Sequence, residues 1–145
     1  EPAIFYMNET SHLVVKVVNA FNKVKGTVVA GYTFDAGPNA VLFFEDEQTM
    51  QEFLCVLIHL IPRADNQTDV DYFAKTEQLA PEELRTSAPI QQFVRAVQEE
   101  LAMDDAQLQS HKGMLRYILH TTVGGGPQVV SEHLIDEATL APKTN

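Results

Sequence analysis

The sequence is short of cysteine, and this shortage limits its covalent chemistry. Cys55 is the only cysteine among the 145 residues, so no disulfide can form within the chain. The residue sits inside an apolar segment with helical periodicity, which favours a buried structural thiol over a nucleophile. We therefore predict no catalytic role for Cys55.

Basic residues are also scarce. The chain has 10 Lys and Arg residues against 20 Asp and Glu residues, which gives a formal net charge of -10 at pH 7. No basic run occurs anywhere along the sequence. Phosphate backbones are bound by clustered Lys and Arg side chains that displace counterions. The composition therefore argues against a nucleic-acid partner.

Long apolar runs are absent too. No apolar stretch approaches the length of a membrane span, and the beginning of the chain has neither the basic region nor the apolar block of a secretion signal. Hydrophobic residues make up 45% of the sequence, which suffices for the core of one domain. We expect a soluble, cytoplasmic protein without membrane contacts. Because the chain opens at Glu1 without an initiating methionine, we also expect a piece of a longer polypeptide.

Candidate metal ligands show no useful spacing. The histidines are scattered, and no two of them have the separation that a structural metal site requires. Asp65, Asp69 and Asp71 form an acidic cluster, but they lack the glycine and the terminal glutamate of a calcium loop. A solvated surface is the simpler interpretation of the cluster, so the sequence predicts no metal site.

Three amphipathic helices are predicted by apolar residues at helical spacing. The first follows Asn8 and ends at Gly26, a residue typical of a C-terminal cap. The second begins after Asp46, a good N-cap, and stops at Pro62. The third begins at Pro89, a favoured first-turn residue. The apolar residues that define these helices are Leu13, Val17, Phe21, Val24, Met50, Phe53, Leu54, Leu57, Ile58, Ile61, Ile90, Phe93, Val94, Val97 and Leu101.

Three segments rich in branched and aromatic side chains are predicted to be strands. They are residues 28–34, 40–44 and 114–123. The polar stretch 63–88 between the second and third helices is predicted to be a surface loop with at most one helical turn at 81–84. This order of elements predicts an α+β domain in which the helices pack on one face of a small antiparallel sheet.

The segment YTFDAGPNA, residues 32–40, places one carboxylate, that of Asp35, at a glycine–proline turn between two predicted strands. Glycine allows close backbone approach and proline fixes its own φ, so the turn is suited to holding a carboxylate against a ligand. Such a carboxylate can act as a general base. Alternatively, Asp35 and Asn39 only satisfy backbone donors in a hairpin turn. The spacing of the residues leaves both interpretations open.

Three blocks of the sequence resemble the C-terminal part of the diphosphomevalonate decarboxylases, isoprenoid-pathway enzymes of the GHMP kinase superfamily. The blocks are IFYMN (4–8), YTFDAGPNA (32–40) and YILHTTVGGGPQVV (117–130), and their order and rough separation match over nearly the whole chain. FDAGPNA is the most specific of them. The resemblance implies a ferredoxin-like C-terminal domain of the GHMP kinase type, incomplete in this chain.

The resemblance also implies an activity. Family members convert mevalonate 5-diphosphate to isopentenyl diphosphate, with ATP and Mg²⁺, and release carbon dioxide, ADP and phosphate. Asp35 matches the family's catalytic aspartate, while Ala36 and Gly37 match the backbone that approaches the substrate. The implied partners are mevalonate 5-diphosphate and an N-terminal nucleotide-binding domain, and a homodimer is one option for assembly.

The chain departs from the family pattern in two respects. Residues 123–127 are VGGGP, where the family commonly has VGPGP. The larger departure is that the chain has no Gly/Ser-rich phosphate loop, since VGGGP follows a predicted strand and does not lead into a helix. In the family, the phosphate loop and the basic residues that hold the diphosphate lie N-terminal to this region. We therefore expect the chain to be inactive alone; the alternative is a stand-alone, non-enzymatic α+β binding or dimerisation module.

Overall fold

The computed structural model describes residues 6–35, 37–74, 79–127 and 135. In this part of the chain one helix is followed by a β-hairpin and then by five more helices. The elements, in chain order, are α1 (Glu9–Lys25), β1 (Ala30–Phe34), β2 (Ala40–Phe44), α2 (Glu47–Leu60), α3 (Asp69–Tyr72), α4 (Glu82–Thr86), α5 (Ala88–Glu100) and α6 (Asp105–Ser110). This arrangement confirms the predicted α+β class.

The long helices begin and end at the residues that the sequence favours. The side chain of Asn8 caps α1, and Gly26 ends it in the left-handed conformation with φ of 76°. Only glycine adopts such a φ without strain. The carboxylate of Asp46 accepts a hydrogen bond from Thr49 N at 2.7 Å and so caps α2. This bond is the main cause that lowers the pKa of the Asp46 carboxyl. Pro89 lies in the first turn of α5, as predicted.

Strands β1 and β2 form an antiparallel hairpin with Ala30 opposite Phe44 and Phe34 opposite Ala40. Side chains alternate between the two faces of a hairpin. The face that carries Ala30, Leu42 and Phe44 lies against α1 and α2. The other face exposes Val41 and Phe43, which are 48% and 60% accessible. The predicted packing of helices on one face of a small sheet is therefore confirmed.

Aromatic rings join the three long helices and the hairpin. The ring of Phe21 on α1 lies edge-on to Phe53 of α2 at 5.1 Å and to Phe93 of α5 at 5.3 Å, between ring centroids. Phe44 of β2 contacts Phe53 from the other side, also at 5.1 Å. At the edge of this cluster, Lys25 pairs with Glu52 and lies 4.9 Å from the Phe93 centroid. These contacts confirm that the predicted apolar helix faces form one core.

The predicted strand at 114–123 is wrong. Within the described ranges these residues form neither a helix nor a strand ladder. The segment instead lies along the loop that follows α2. Gly113 N donates to the Pro62 carbonyl at 2.8 Å and Ile118 N donates to the Tyr72 carbonyl at 2.7 Å. Branched side chains favour extended backbone, whereas a ladder also requires a neighbouring strand in register, which the local pattern does not specify.

Three smaller predictions also need correction. Strand β1 begins at Ala30, and Val28 is 81% exposed, so the predicted start was too early. The stretch 63–88 holds α3 as well as the predicted turn, which forms α4. Helix α6 was not predicted, although Asp104 and Gln107 form a capping box at its start. Short helices such as these depend on tertiary contacts more than on periodicity.

Tyr72 supplies a prediction about alkaline stability. Its hydroxyl donates to the Ile61 carbonyl at 3.2 Å, its side chain is 1% exposed, and burial raises its pKa from 10 to about 12. Because the pKa of Tyr72 is higher in the folded than in the unfolded state, its neutral hydroxyl stabilises the folded chain. This stabilisation is complete below pH 10 and is lost as the pH rises toward 12. We expect the unfolding midpoints of the parent and Tyr72→Phe chains to converge over this range in urea titrations.

The matched control for this measurement is Tyr117→Phe, since Tyr117 is 51% exposed. Its midpoint should follow that of the parent chain at every pH. A difference between the parent and Tyr72→Phe chains that stays constant from pH 9 to pH 12 would contradict the assigned role of burial.

Candidate functional site

The turn that carries Asp35 forms the tip of the β-hairpin. Asp35 follows the last residue of β1, and its side chain is exposed. Gly37 N donates to the Asp35 carbonyl at 2.8 Å, which closes the turn on itself. Ala36, the first of the two predicted substrate-binding residues, lies outside the described residues. The structure therefore places Asp35 and Gly37 together at the surface.

The backbone conformation at Gly37, the second predicted substrate-binding residue, is one that favours glycine. Its φ is 148°, a value that residues with a side chain rarely adopt. A Cβ at this position would meet nothing within 4 Å. The backbone conformation, rather than lack of space, therefore calls for glycine. The open space beside Gly37 leaves the backbone accessible to a ligand.

The N-terminal turn of α1 lies beneath the tip of the hairpin. The side chain of Ser11 is 2% exposed, and its hydroxyl donates to the Pro38 carbonyl at 3.4 Å. The Asn8 side chain accepts from Ser11 N at 2.9 Å, and Asn8 N donates to Ser11 Oγ at 3.2 Å. The capping pattern of Asn8 and Ser11 is visible in the sequence. Their position under the Asp35 turn is not.

The opposite end of the hairpin is held by Asn22 of α1. Its Oδ1 accepts from Val29 N at 3.0 Å and from Ala30 N at 2.9 Å, and its Nδ2 donates to the Ala30 carbonyl at 2.8 Å. The amide side chain thus replaces the partner strand that the start of β1 lacks on this side. Sequence analysis missed Asn22, because a single polar residue in an amphipathic helix gives no sign of what it contacts.

The other candidate residues have structural partners. Cys55 is 4% exposed and burial raises the pKa of its thiol, which confirms the prediction of a buried structural residue. His59 Nε2 lies 2.9 Å from Gln98 Oε1. In the acidic cluster, Asp69 forms ion pairs with Arg63 at 2.7 Å and with Arg85 at 3.4 Å. Hence none of these groups competes with the hairpin tip as a site.

Two shallow surface depressions lie elsewhere, between the loop after α2 and residues 113–119. They have volumes of about 380 and 340 Å³ and share Gln67, Asp71 and Arg116. The side chains of Asp71 and Arg116 are exposed, so neither depression surrounds a titratable group with protein. Neither includes a residue of the Asp35 turn. The Asp35 turn remains the candidate site because it presents an exposed carboxylate.

The described residues show no provision for a nucleotide or a metal ion. Among them, no three His, Cys, Asp or Glu side chains come together as a metal-binding group. Residues 124–126 are exposed and no helix is assigned from them to 127, so in the part of the chain that is described their amides do not begin a helix. Likewise, none of the helices described is long and apolar enough to cross a membrane.

Comparison with known proteins identifies relatives along nearly the whole chain. The curated diphosphomevalonate decarboxylase of Debaryomyces hansenii is 35% identical over 142 residues, which are 96% of this chain and 29% of the relative. The same enzyme of Rattus norvegicus is 38% identical over 135 residues, or 90% of this chain and 28% of the relative. That of Saccharomyces cerevisiae is 36% identical over 144 residues, or 98% and 32%. The chain thus spans about a third or less of the length of these relatives.

A solved structure also aligns with the chain, and a family model shows which family the chain belongs to. A crystal structure titled mevalonate 5-diphosphate decarboxylase aligns with 95% of this chain and 32% of its own, at 27% identity and a TM-score of 0.46. The model described as the mevalonate 5-diphosphate decarboxylase C-terminal domain matches residues 1–130, a range that holds the hairpin, the Asp35 turn and the three long helices. The resemblance found in the three sequence blocks is therefore confirmed, and the chain belongs to the family of mevalonate 5-diphosphate decarboxylase C-terminal domains.

Proposed function

We propose that this chain is the C-terminal portion of an enzyme that decarboxylates mevalonate 5-diphosphate to isopentenyl diphosphate in an ATP-dependent reaction, with Asp35 as its catalytic residue. The observation that carries the proposal is the exposed carboxylate at the glycine–proline tip of the hairpin, inside the range that matches the family model. The names of the curated relatives support the reaction.

The proposed role of Asp35 is to accept a proton. In the proposed reaction, ATP first phosphorylates the tertiary hydroxyl of mevalonate 5-diphosphate. This hydroxyl is a very weak acid, so its oxygen attacks the phosphorus of ATP only when a nearby group takes the proton. A carboxylate about 3 Å from that hydroxyl can do so. A Cβ at Gly37 would meet nothing within 4 Å, and we assign the backbone of Ala36 and Gly37 to the surface that the substrate approaches. Position at the tip, rather than burial, suits Asp35 to this task.

We assign ATP and Mg²⁺ to the part of the enzyme that precedes this region in its relatives. The described residues do not fit either group, since they form no cluster of metal ligands and no phosphate loop at a helix start. We therefore propose a nucleotide-binding domain as the partner of this one, and a cytoplasmic location for the whole enzyme. Size-exclusion chromatography of the complete polypeptide tests assembly as a homodimer.

A second candidate function is a non-enzymatic binding or dimerisation module. The exposed apolar side chains of Val41 and Phe43 on the outer face of the hairpin favour it, because adjacent exposed apolar residues often mark contact surfaces. In such a module the Asp35 turn is only structural. The two functions predict different results in an assay of the complete polypeptide.

The test measures release of labelled carbon dioxide from carboxyl-labelled mevalonate 5-diphosphate in the presence of ATP and Mg²⁺. We expect the complete polypeptide that carries this domain to release carbon dioxide and the isolated 145-residue chain to release none. Omission of ATP serves as the control. A folded complete polypeptide without turnover would exclude the decarboxylase, and turnover by the isolated chain would refute the assignment of ATP to a separate part.

A further inference from the structure

Ser11 is a buried polar residue whose surroundings link α1 to the Asp35 turn. Its side chain is 2% exposed, so water does not compete for its hydroxyl group. The hydroxyl hydrogen has two acceptors within reach, Asn8 Oδ1 at 3.1 Å and the Pro38 carbonyl at 3.4 Å. The bond to Asn8 belongs to the cap of α1. The bond to Pro38 spans 27 residues and joins the helix to the hairpin tip.

The position of Pro38 affects the position of Asp35, because both residues belong to the same turn. Gly37 N donates to the Asp35 carbonyl, and the proline ring fixes φ of Pro38 itself. The bond from Gly37 N ties the residue next to Pro38 to the Asp35 carbonyl, so a shift at Pro38 displaces Asp35 as well. The other described anchor between α1 and the hairpin is Asn22, at the far end of β1.

From this geometry we propose that Ser11 is a positioning residue for Asp35: its hydroxyl holds the Pro38 carbonyl and so fixes the hairpin tip over the start of α1. The proposal rests on the proposed function, because positioning matters only if Asp35 touches the substrate. Proton transfer is sensitive to small displacements of the acceptor. Ser11 therefore acts on catalysis through Asp35 and without contact to the substrate.

The first experiment replaces Ser11 by alanine in the complete polypeptide. We expect kcat to fall about tenfold, because misplacement of a catalytic group slows the chemical step. The KM for mevalonate 5-diphosphate should change less than about twofold. The matched control is Gln107→Ala, which removes the corresponding bond of the other capping box, from Asp104 N to Gln107 Oε1 at 2.9 Å. The control variant should keep the parental kcat.

The second experiment is a double-mutant cycle with Asp35→Asn. If Ser11 acts through Asp35, Ser11→Ala should cost about tenfold in the parent and nothing in the Asp35→Asn background, since the proton acceptor is then already gone. Equal costs in both backgrounds, or a parental kcat for Ser11→Ala, overturn the positioning role while leaving Asp35 catalytic. A parental kcat for Asp35→Asn itself overturns the catalytic assignment and the positioning role together.

Loss of the cap could unfold the Ser11→Ala variant, so Ser11→Cys provides a second measurement. Cysteine keeps a small side chain with an S–H group, which is a weaker donor than O–H. We expect Ser11→Cys to fold and to show a lowered kcat with a parental KM. A folded Ser11→Cys enzyme, verified by circular dichroism, with parental kcat would overturn the proposal.

Discussion

Replacement of Asp35 by asparagine in the complete polypeptide is expected to lower kcat by about 10² to 10⁴, with a smaller effect on KM. Asparagine keeps the size of the side chain and suits the same kind of turn, but its amide cannot accept the hydroxyl proton. The loss should therefore appear in the chemical step rather than in substrate binding. Steady-state rates of carbon dioxide release over a range of substrate concentrations give both constants.

Asn39→Ala is the matched control for this measurement. Asn39 lies at the other end of the same turn and is exposed, so its replacement should affect mainly the stability of the hairpin. If the purified, well-folded Asp35→Asn enzyme retains the parental kcat, Asp35 is only a turn residue and the catalytic assignment fails.

Replacement of Phe53 by alanine is expected to lower the free energy of unfolding by about 3 to 5 kcal/mol. Phe53 is 0% exposed and its ring contacts Phe21 and Phe44, so it joins α1, α2 and the hairpin. Truncation removes these contacts and leaves a cavity that the rigid surroundings fill only in part. Such a loss is a large share of the stability of an ordinary domain, and urea denaturation of the 145-residue chain measures it.

Phe43→Ala provides the comparison, because Phe43 sits on the outer face of the hairpin and is 60% exposed. Its replacement should change the free energy of unfolding by no more than about 0.5 kcal/mol. An unchanged midpoint for Phe53→Ala would show that the aromatic cluster does not hold the helices together.

The parts of the fold that local patterns determine were predicted, and those that depend on distant partners were not. The ends of α1 and α2 follow from a left-handed glycine at 26 and a capping carboxylate at 46, both of which act within one turn of helix. The segment 114–123 has the composition of a strand, yet its backbone bonds to Tyr72. Which segment the backbone of 114–123 bonds to depends on tertiary structure, and the composition of the segment does not determine it.

The candidate site divides in the same way. The position of Asp35 in a glycine–proline turn was predicted from nine consecutive residues, and the conformation of Gly37 agrees with that prediction. The contacts of Ser11 and Asn22 with the hairpin were not predicted, because they become visible only once α1 lies along it. The family resemblance did not reveal them either, since it points to the residues of the turn and not to those that hold it.

The hairpin is bonded to α1 at both ends, so movement of the helix and movement of the Asp35 turn are coupled. Three hydrogen bonds of 2.8 to 3.0 Å to Asn22 clamp the base, and a bond of 3.4 Å from Ser11 reaches the tip. A five-residue strand is roughly 17 Å long, so a rotation of about 5° at the clamp moves Asp35 by about 1.5 Å. Displacements of about 1 Å are enough to change a rate a hundredfold. Small angular changes at the α1–β1 junction therefore displace the carboxylate by a distance that matters for proton transfer.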